Sequence, residues 1–369
     1  MADSEDTVMV LGLGDLGQRV VDVLSHRPGG RLVAVARHEE RARAVAGQAT
    51  LVAGLCDGPR VVEPAVVDLM DLDGTASLLA RVQPDVIVLA ASQLTWWRVP
   101  EGARSLPYGV WLPLHLPLVR ALMQARTAAG IAAPVVSLPF PDAVGPVLAG
   151  AGLAPETGAG NVLEMAAKLV AVAAERAGVG REAVDVRLVA HHSTERVAFS
   201  AFAGLGGNGG GPAGPPPLHA GVSVGGEALP DDEVRALLTA AYPLLSGAAT
   251  HGLTAAATAA TVWALLSEEP RRLHVPAPAG RPGGYPVRVS RAGVALDLPA
   301  GMSESDAIAV NVVAARWDGI ERIEPGGAFV YCPWVSDALE RTLGLRLERV
   351  EPEHSDAVAD DLAARLARL

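Results

Sequence analysis

The stretch Val8-Met-Val-Leu-Gly-Leu-Gly-Asp-Leu-Gly17 is the strongest indication of how this chain folds. Its first four residues are apolar and predict a buried strand, and residues 17–25 continue in a pattern typical of a helix. Three glycines lie between the two elements in the spacing G-x-G-x-x-G. A strand, a glycine-rich turn and a helix in this order predict the start of a dinucleotide-binding βαβ unit.

Each glycine of the turn has a physical task. Gly12 permits the tight turn, Gly14 lets the backbone approach a pyrophosphate, and Gly17 allows the helix to pack closely on the strand. Asp15 and Leu16, within the turn, are also expected to bind the cofactor, because unpaired N–H groups and the positive end of the dipole at the start of the helix favour phosphates. The alternative is a tight strand–helix turn that binds nothing.

Short apolar runs and amphipathic stretches continue to alternate over the first 150 residues. This alternation predicts a doubly wound parallel sheet covered by helices on both faces. Further strands are predicted at residues 31–37, 66–69, 84–91 and 134–138, and helices at 39–46, 73–82 (with Asp73 as N-cap) and 116–129.

The second half mixes strands and helices without that alternation, so we expect an α+β fold there. The predicted domains are residues 1–155, which form the dinucleotide-binding Rossmann domain, and 156–369, which form the substrate domain. Helices are predicted at 162–178, 231–245, 253–267, 303–317 and 355–369, strands at 184–190 and 285–298, and a mobile glycine- and proline-rich loop at 203–217.

The end of the second predicted strand indicates which dinucleotide binds. NAD-binding proteins usually carry an acid there, which accepts the ribose 2′-hydroxyl. This chain has Arg37 and His38 instead, with Arg41 and Arg43 nearby, and an arginine can pair with a 2′-phosphate. We therefore predict NADP(H) over NAD(H), the alternative being a solvated basic helix start. Asp71 is expected near the adenine, or else in a surface turn.

The composition excludes several classes of protein. Acids outnumber bases 41 to 30 over 369 residues, which argues against binding to nucleic acid or to an anionic membrane. Two cysteines cannot form a disulfide framework or a cysteine-based metal site, and no further ligands follow His191-His192 at suitable spacing, so no metal is expected. The acidic N-terminus lacks a secretory pattern, and no apolar run is long enough to span a membrane. We expect a cytoplasmic protein that acts on a small molecule.

The order of these features resembles the lactate/malate dehydrogenase family over roughly residues 8–350. In that family a mobile loop follows the strand that here ends in Ala90 and Ala91, and both alanines are expected to line the cofactor. The loop of the family carries an arginine that polarises the substrate carbonyl. The resemblance assigns this role to Arg104, with Arg98 as a second candidate. Trp97, with its neighbour Trp96, would stack on the substrate or pack at a domain interface.

The resemblance also implies an acid–base pair. The histidine of the family follows a strand, where this chain has His191 and His192. Adjacent strand residues point to opposite faces, so only one of them reaches the site, and His192 falls at the matching position. His191 remains the alternative and a candidate substrate contact. Glu164 takes the place of the acid that orients the histidine, although with Asn161 it also fits a helix capping box.

Two departures from the family pattern concern the substrate. The arginine that holds the substrate carboxylate is replaced by Ala167, and an Asn-Pro pair is replaced by Leu138-Pro139. Lys168, the single lysine of the chain, follows Ala167. It would either hold an anionic substrate group or pair with Glu164 four residues earlier on the same helix.

These observations predict an NADP(H)-dependent oxidoreductase that moves a hydride between nicotinamide and a carbonyl or carbinol carbon. The small substrate would be anionic or aromatic, with His192, Glu164 and Arg104 as catalytic residues. One alternative is a nucleotide-binding sensor or assembly protein without catalysis, and another is a Rossmann dehydrogenase of the amino-acid or opine type. The apolar helices and the resemblance favour a homodimer or homotetramer.

Overall fold

A computed structural model describes residues 6–27, 29–56, 61–94, 98–199 and 211–369 of the chain. The first half alternates strands with helices, as predicted. The strands are β1 (Thr7–Leu11), β2 (Arg31–Ala36), β3 (Val61–Val66), β4 (Val86–Leu89), β5 (Val135–Ser137) and β6 (Thr157–Gly158). The helices are α1 (Asp15–Ser25), α2 (Glu39–Leu55), α3 (Leu72–Val82), α4 (Leu112–Ala128) and α5 (Pro141–Ala149).

These six strands form one sheet in the order β3-β2-β1-β4-β5-β6, and every neighbouring pair is parallel. The central strands are buried on both faces, which explains their unbroken apolar runs. Met9 and Leu11 of β1 pack in the core on one face of the sheet, while Val8 and Val10 pack on the other. The predicted doubly wound parallel sheet is therefore confirmed.

The second half contains small antiparallel sheets and further helices. Its helices are α6 (Asn161–Ala177), α7 (Glu195–Ala198), α8 (Asp231–Thr239), α9 (His251–Leu265), α10 (Glu304–Ala314), α11 (Pro333–Leu343) and α12 (Ser355–Leu366). Its strands are β7 (Val184–Val189), β8 (His219–Val224), β9 (Glu227–Ala228), β10 (Arg271–Pro276), β11 (Gly284–Ser290), β12 (Gly293–Leu296), β13 (Ile320–Ile323), β14 (Phe329–Tyr331) and β15 (Arg349–Val350). They pair as β7-β8-β9, β10-β11-β12 and β13-β14-β15, so the expected α+β fold is confirmed.

The C-terminal helix, α12, packs against α4 in the first half of the chain. Leu362 and Leu366 of α12 lie in the same apolar core as Leu116 and Leu122 of α4. Arg120 of α4 donates a hydrogen bond to the Pro352 carbonyl oxygen (2.7 Å) and pairs with Asp356. The boundary between residues 155 and 156 remains a prediction.

Several predicted boundaries are wrong for local reasons. The third strand covers Val61–Val66 rather than residues 66–69. Asp71, not Asp73, caps α3, because its carboxylate accepts the Gly74 N–H at 3.0 Å. Helix α8 ends at Thr239 rather than at 245, ahead of Pro243, because a proline disfavours helical geometry in the residue before it. Residues 203–210 of the expected loop at 203–217 lie outside the described residues.

No helix in the described ranges is both long enough and apolar enough to cross a membrane.

Candidate active site

A cavity of about 900 Å³ runs along the carboxyl ends of the central strands into the second half of the chain. The glycine-rich turn after β1 lines one part of it, and His192, which follows β7, lines another. Ligands of open parallel sheets bind at this edge, where the strand order reverses on either side of β1. The fold therefore brings together the two sequence features that carried the functional prediction.

The glycine-rich turn requires glycine at two of its three positions and leaves space at the third. Gly12 has a φ of +94°, and a Cβ there would lie 2.4 Å from the backbone nitrogen of Ala91. A Cβ at Gly17 would lie 1.8 Å from the Gly12 oxygen, so only glycine lets α1 start this close to β1. At Gly14, by contrast, no atom lies within 4 Å of the added Cβ. The turn thus leaves open space directly before the N-terminus of α1.

The basic residues after β2 lie at the same cavity. Arg37, His38 and Arg41 line it, whereas Arg43 pairs with Glu39 at 2.7 Å. The Arg41 guanidinium donates to the Leu13 carbonyl oxygen (2.8 Å) and so lies over the glycine-rich turn. Arg37 is exposed and forms no ion pair with any residue that the structure describes.

Asp71 was expected near the adenine, but the structure shows it capping helix α3. Its carboxylate is engaged at the start of α3, and the cavity wall beyond β3 is formed by Val67, Asp68, Leu69 and Met70. Ala90 and Ala91 do line the cavity, as expected for residues after β4.

Asp15, the first residue of α1, connects the glycine-rich turn to the second half of the chain. Its Oδ2 lies 2.7 Å from Nδ1 of His251 on α9 and 3.1 Å from Nε of Arg19. Burial alone would raise the pKa of Asp15, but these two partners lower it below its usual value. The Arg19 guanidinium and a hydrogen bond from His251 therefore stabilise the negative charge that lies beside the open space at Gly14.

His192 is held by a buried carboxylate from a distant part of the chain. Its Nδ1 donates a hydrogen bond to Oδ2 of Asp318 at 2.8 Å. Asp318 is 1% exposed and lies between α10 and β13, where Arg196 also approaches its other oxygen at 3.5 Å. The His192 backbone N–H donates to Asp142 at 3.0 Å, which fixes the start of the turn that carries the imidazole.

The electrostatics of this pair keep the imidazole charged at neutral pH. Burial would lower the pKa of His192, but Asp318, Glu195 and Asp142 raise it to about 9. For Asp318 burial has the opposite effect and alone would raise the pKa. His192, His191 and Arg196 nevertheless hold the pKa of Asp318 below its usual value. The site therefore presents a histidine with a proton to give at pH 7.

The predicted orienting role of Glu164 is wrong, because Asp318 occupies the Nδ1 side of His192. Glu164 lines the same cavity, 4% exposed, and burial followed by repulsion from Glu195 raises its pKa to about 8. The capping box is absent too, because Gly160 is the N-cap residue of α6 and the Asn161 Oδ1 accepts the Val162 N–H.

His191 is not among the described residues that line this cavity, although its Nδ1 lies 3.5 Å from Oδ2 of Asp318. It is 1% exposed, and its Nδ1 accepts the Ser193 N–H at 3.2 Å. Burial lowers the pKa of His191, so its ring is neutral. This environment makes His191 a structural residue and contradicts its candidate role as a substrate contact.

The residues expected on the substrate loop differ in their position relative to the cavity. Arg104 lines the cavity and is exposed, with its Nε 3.3 Å from the Val99 carbonyl oxygen. Arg98 is exposed and is not among the described residues that line the cavity, so its role as a substrate contact stays a prediction. Trp96 and Trp97 lie outside the described residues.

Lys168 is fully engaged elsewhere, which contradicts both predictions made for it. Lys168 is 3% exposed, and its amine donates to the carbonyl oxygens of Ala198, Leu238 and Ala240. Burial lowers its pKa to about 8. It therefore joins α6, α7 and the end of α8 and does not reach a substrate.

Aromatic rings pack against His192 on the side facing the first half of the chain. The Tyr108 ring centroid lies 4.3 Å from that of His192, and the Phe140 centroid lies 5.3 Å from it. His115 also lines the cavity; its Nδ1 is 2.8 Å from Oγ of Ser92. Burial lowers the pKa of His115 to about 3, so this second histidine is neutral.

Sequence reasoning missed Asp318, Glu195 and Arg196. Glu195 Oε2 lies 3.8 Å from Nε2 of His192, and the His-x-x-Glu spacing was a usable signal. Asp318 had none, because it lies 126 positions after His192. Within the described ranges, no cluster of three or more His, Cys, Asp or Glu could hold a metal ion.

The fold is similar to those of solved malate and lactate dehydrogenases. Malate dehydrogenase of Cryptosporidium parvum aligns with a TM-score of 0.56 at 14% identity, covering 84% of this chain and 96% of that one. Lactate dehydrogenase of Eimeria maxima, solved with NADH and oxamate, aligns with a TM-score of 0.58 at 10% identity, covering 85% and 92%. Malate dehydrogenase of Plasmodium falciparum, in complex with NADH, gives 0.54 at 11% identity, covering 83% and 93%.

No protein-family profile and no curated protein matches this sequence. The likeness to solved structures shows that the chain has the fold of malate and lactate dehydrogenases, as the resemblance implied.

Proposed function

We propose that this chain, which has the fold of malate and lactate dehydrogenases, is an NADP(H)-dependent oxidoreductase that interconverts a carbonyl and a hydroxyl group. One observation carries the proposal: the glycine-rich turn and the His192–Asp318 pair line the same cavity. A turn built to accept a pyrophosphate and a histidine built to transfer a proton are both required for this reaction.

The residues of the cavity fit a dinucleotide. The open space at Gly14 lies before the N-terminus of an eleven-residue helix, whose unpaired N–H groups favour a pyrophosphate. Two structural neighbours, the Eimeria and Plasmodium dehydrogenases, are solved with NADH, which supports a nicotinamide cofactor here. When bound, the nicotinamide supplies or accepts the hydride.

The preference for NADP(H) is supported by the charges after β2. Arg37, His38 and Arg41 line the cavity there, and the nearest acid in sequence, Glu39, pairs with Arg43. An exposed guanidinium can form a bidentate pair with a 2′-phosphate, whereas a 2′-hydroxyl gains little from it.

In this reaction the protein itself supplies one proton, which His192 carries. In the reducing direction His192, which is protonated at neutral pH, donates from Nε2 to the carbonyl oxygen as the hydride arrives. Asp318 holds the ring by Nδ1 and stabilises its charged form. Arg104 reaches the cavity from the loop side and would stabilise the oxygen as negative charge develops on it. In the oxidising direction the imidazole must first lose its proton, so oxidation should be faster at alkaline pH.

Fluorescence titration with NADPH and NADH tests the cofactor. We expect NADPH to bind about 10-fold or more tightly than NADH, and Arg37→Ala to remove most of that difference. His192→Gln should abolish turnover while leaving NADPH affinity nearly unchanged. Tighter binding of NADH would refute the preference, and no binding of either would refute the function.

A further inference from the structure

His192 lines the cavity described above, whereas its neighbour His191 lines a second cavity between α5, α10 and β13. The volume of this second cavity is about 440 Å³, and the described residues that line the two cavities are all different. Apolar side chains form most of its wall, among them Ala143 of α5, Val312 of α10 and Ile320 of β13. Sites for small molecules have this size and character, with a few placed polar groups in a mostly apolar wall.

Two buried polar side chains belong to this wall, Asp142 and His191, and each is 1% exposed. Both carboxylate oxygens of Asp142 already accept hydrogen bonds. Oδ1 accepts the His192 backbone N–H at 3.0 Å, and Oδ2 accepts the Asn161 side-chain amide. A ligand in the second cavity would therefore find its polar partner in His191.

The hydrogen of the neutral His191 ring lies on Nε2. Its Nδ1 accepts the Ser193 N–H at 3.2 Å, and a ring nitrogen that accepts does not carry the hydrogen. Because Nδ1 faces Ser193 and, at 3.5 Å, Asp318, Nε2 lies on the far edge of the ring. Among the residues that the structure describes, Nε2 has no hydrogen-bond partner. A buried donor without an acceptor is unfavourable, so an acceptor bound in this cavity would gain a hydrogen bond.

The charged side chains of the same wall are compensated. Arg322 and Glu324, at the mouth, pair with each other at 3.0 Å. Asp142 lies close enough to the protonated His192 to help raise its pKa. A charged ligand would lose its hydration in the cavity without meeting a free opposite charge in the wall that these residues form.

We propose that the second cavity binds a small uncharged molecule with an apolar body and a hydrogen-bond acceptor, which accepts the Nε2–H of His191. The site is independent of the proposed function, since it shares none of the residues used there for the cofactor or the proton. It lies directly behind the catalytic turn, because Asp142 accepts the His192 N–H and His191 accepts the Ser193 N–H.

Three probes of similar shape and different charge test this site: N,N-dimethylbenzamide, benzoate, and N,N-dimethylbenzylamine, which is a cation at pH 7. The full chain labelled with 15N-histidine reports binding by NMR, with the His191 signals assigned from His191→Gln. We expect the amide to shift the His191 Nε2 signal saturably, with a Kd about 10-fold or more below that of either charged probe. No saturable shift with the amide, or a charged probe that binds as tightly, would overturn the proposal.

Two neighbouring valines of α10 provide a matched pair of variants. Val312 and Val313 are 40% and 46% exposed, and only Val312 lines the cavity. Val312→Trp places an indole at the mouth and should weaken binding of the amide about 10-fold or more, whereas Val313→Trp should bind it as the wild type does. The second variant also reports whether an added tryptophan on this helix disturbs the fold. Undiminished binding of the amide to Val312→Trp would show that it binds elsewhere and would overturn the proposal.

Discussion

Replacing Asp318 with asparagine tests the electrostatics of the site most sharply. The substitution keeps the shape of the side chain and removes the charge that lies 2.8 Å from Nδ1 of His192. The pKa of His192 stands at about 9 instead of 6.5, and burial would otherwise lower it. A shift of this size corresponds to about 3 kcal/mol favouring the imidazolium. We therefore expect the pKa of His192 in Asp318→Asn to fall to about 6.5 or below.

NMR of the protein labelled with 15N-histidine measures this pKa directly, with the His192 signals assigned from His192→Gln. Asp297→Asn is the control, because Asp297 also accepts from an arginine, Arg187 at 2.9 Å, but lies outside the cavity wall. It should leave the titration of His192 unchanged. If Asp318→Asn moved the pKa of His192 by less than about half a unit, Asp318 would not be the group that charges it.

The same pair makes a prediction for stability. The folded-state pKa of His192 is raised, so the contribution of the pair is complete below pH 6.5, the usual value, and is lost as pH rises through about 9. Urea unfolding should show the advantage of the wild type over Asp318→Asn shrinking across this window. An advantage that is constant with pH would contradict the linkage.

Three further changes test other parts of the structure. Arg37→Ala should weaken NADPH binding about 10-fold and leave NADH binding nearly unchanged, and equal losses for both cofactors in fluorescence titrations would refute a 2′-phosphate contact. Lys168→Met should destabilise the fold by about 2–4 kcal/mol in urea unfolding, because three carbonyl oxygens lose their donor, and an unchanged midpoint would contradict this. His251→Leu should weaken NADPH binding several-fold, since Asp15 would lose the hydrogen bond that holds its carboxylate beside the glycine-rich turn, and equal affinity would show that His251 is dispensable there.

The parts of the fold that could be predicted from sequence are those determined by local pattern. The glycine-rich turn, the strands on either side of it and α1 each depend on residues within one short segment. Strand β3 was misplaced because Val61–Val66 contains a glutamate and a proline, which interrupt the apolar run. Its pairing with β2 is set by the sheet, not by its own composition.

The site was predictable only in part, because its charges come from segments far apart in the chain. His192 could be named from the strand before it, but its partner Asp318 is a single acid in a turn 126 positions later. Glu164 was the acid at the expected sequence position, and the structure places it on the cavity wall rather than at Nδ1. The role of Lys168 could not be predicted for the same reason, since its three acceptors belong to α7, α8 and the residue just beyond α8.

A crystal structure of the chain with NADP+ would show whether the cavity binds the cofactor beside His192. We expect the pyrophosphate at Gly14 and the N-terminus of α1, the 2′-phosphate on Arg37, and nicotinamide C4 within about 5 Å of the His192 imidazole. Asp318 should still hold Nδ1 in that complex. A nicotinamide ring bound away from His192, or a 2′-phosphate that makes no contact with Arg37, would contradict this expectation.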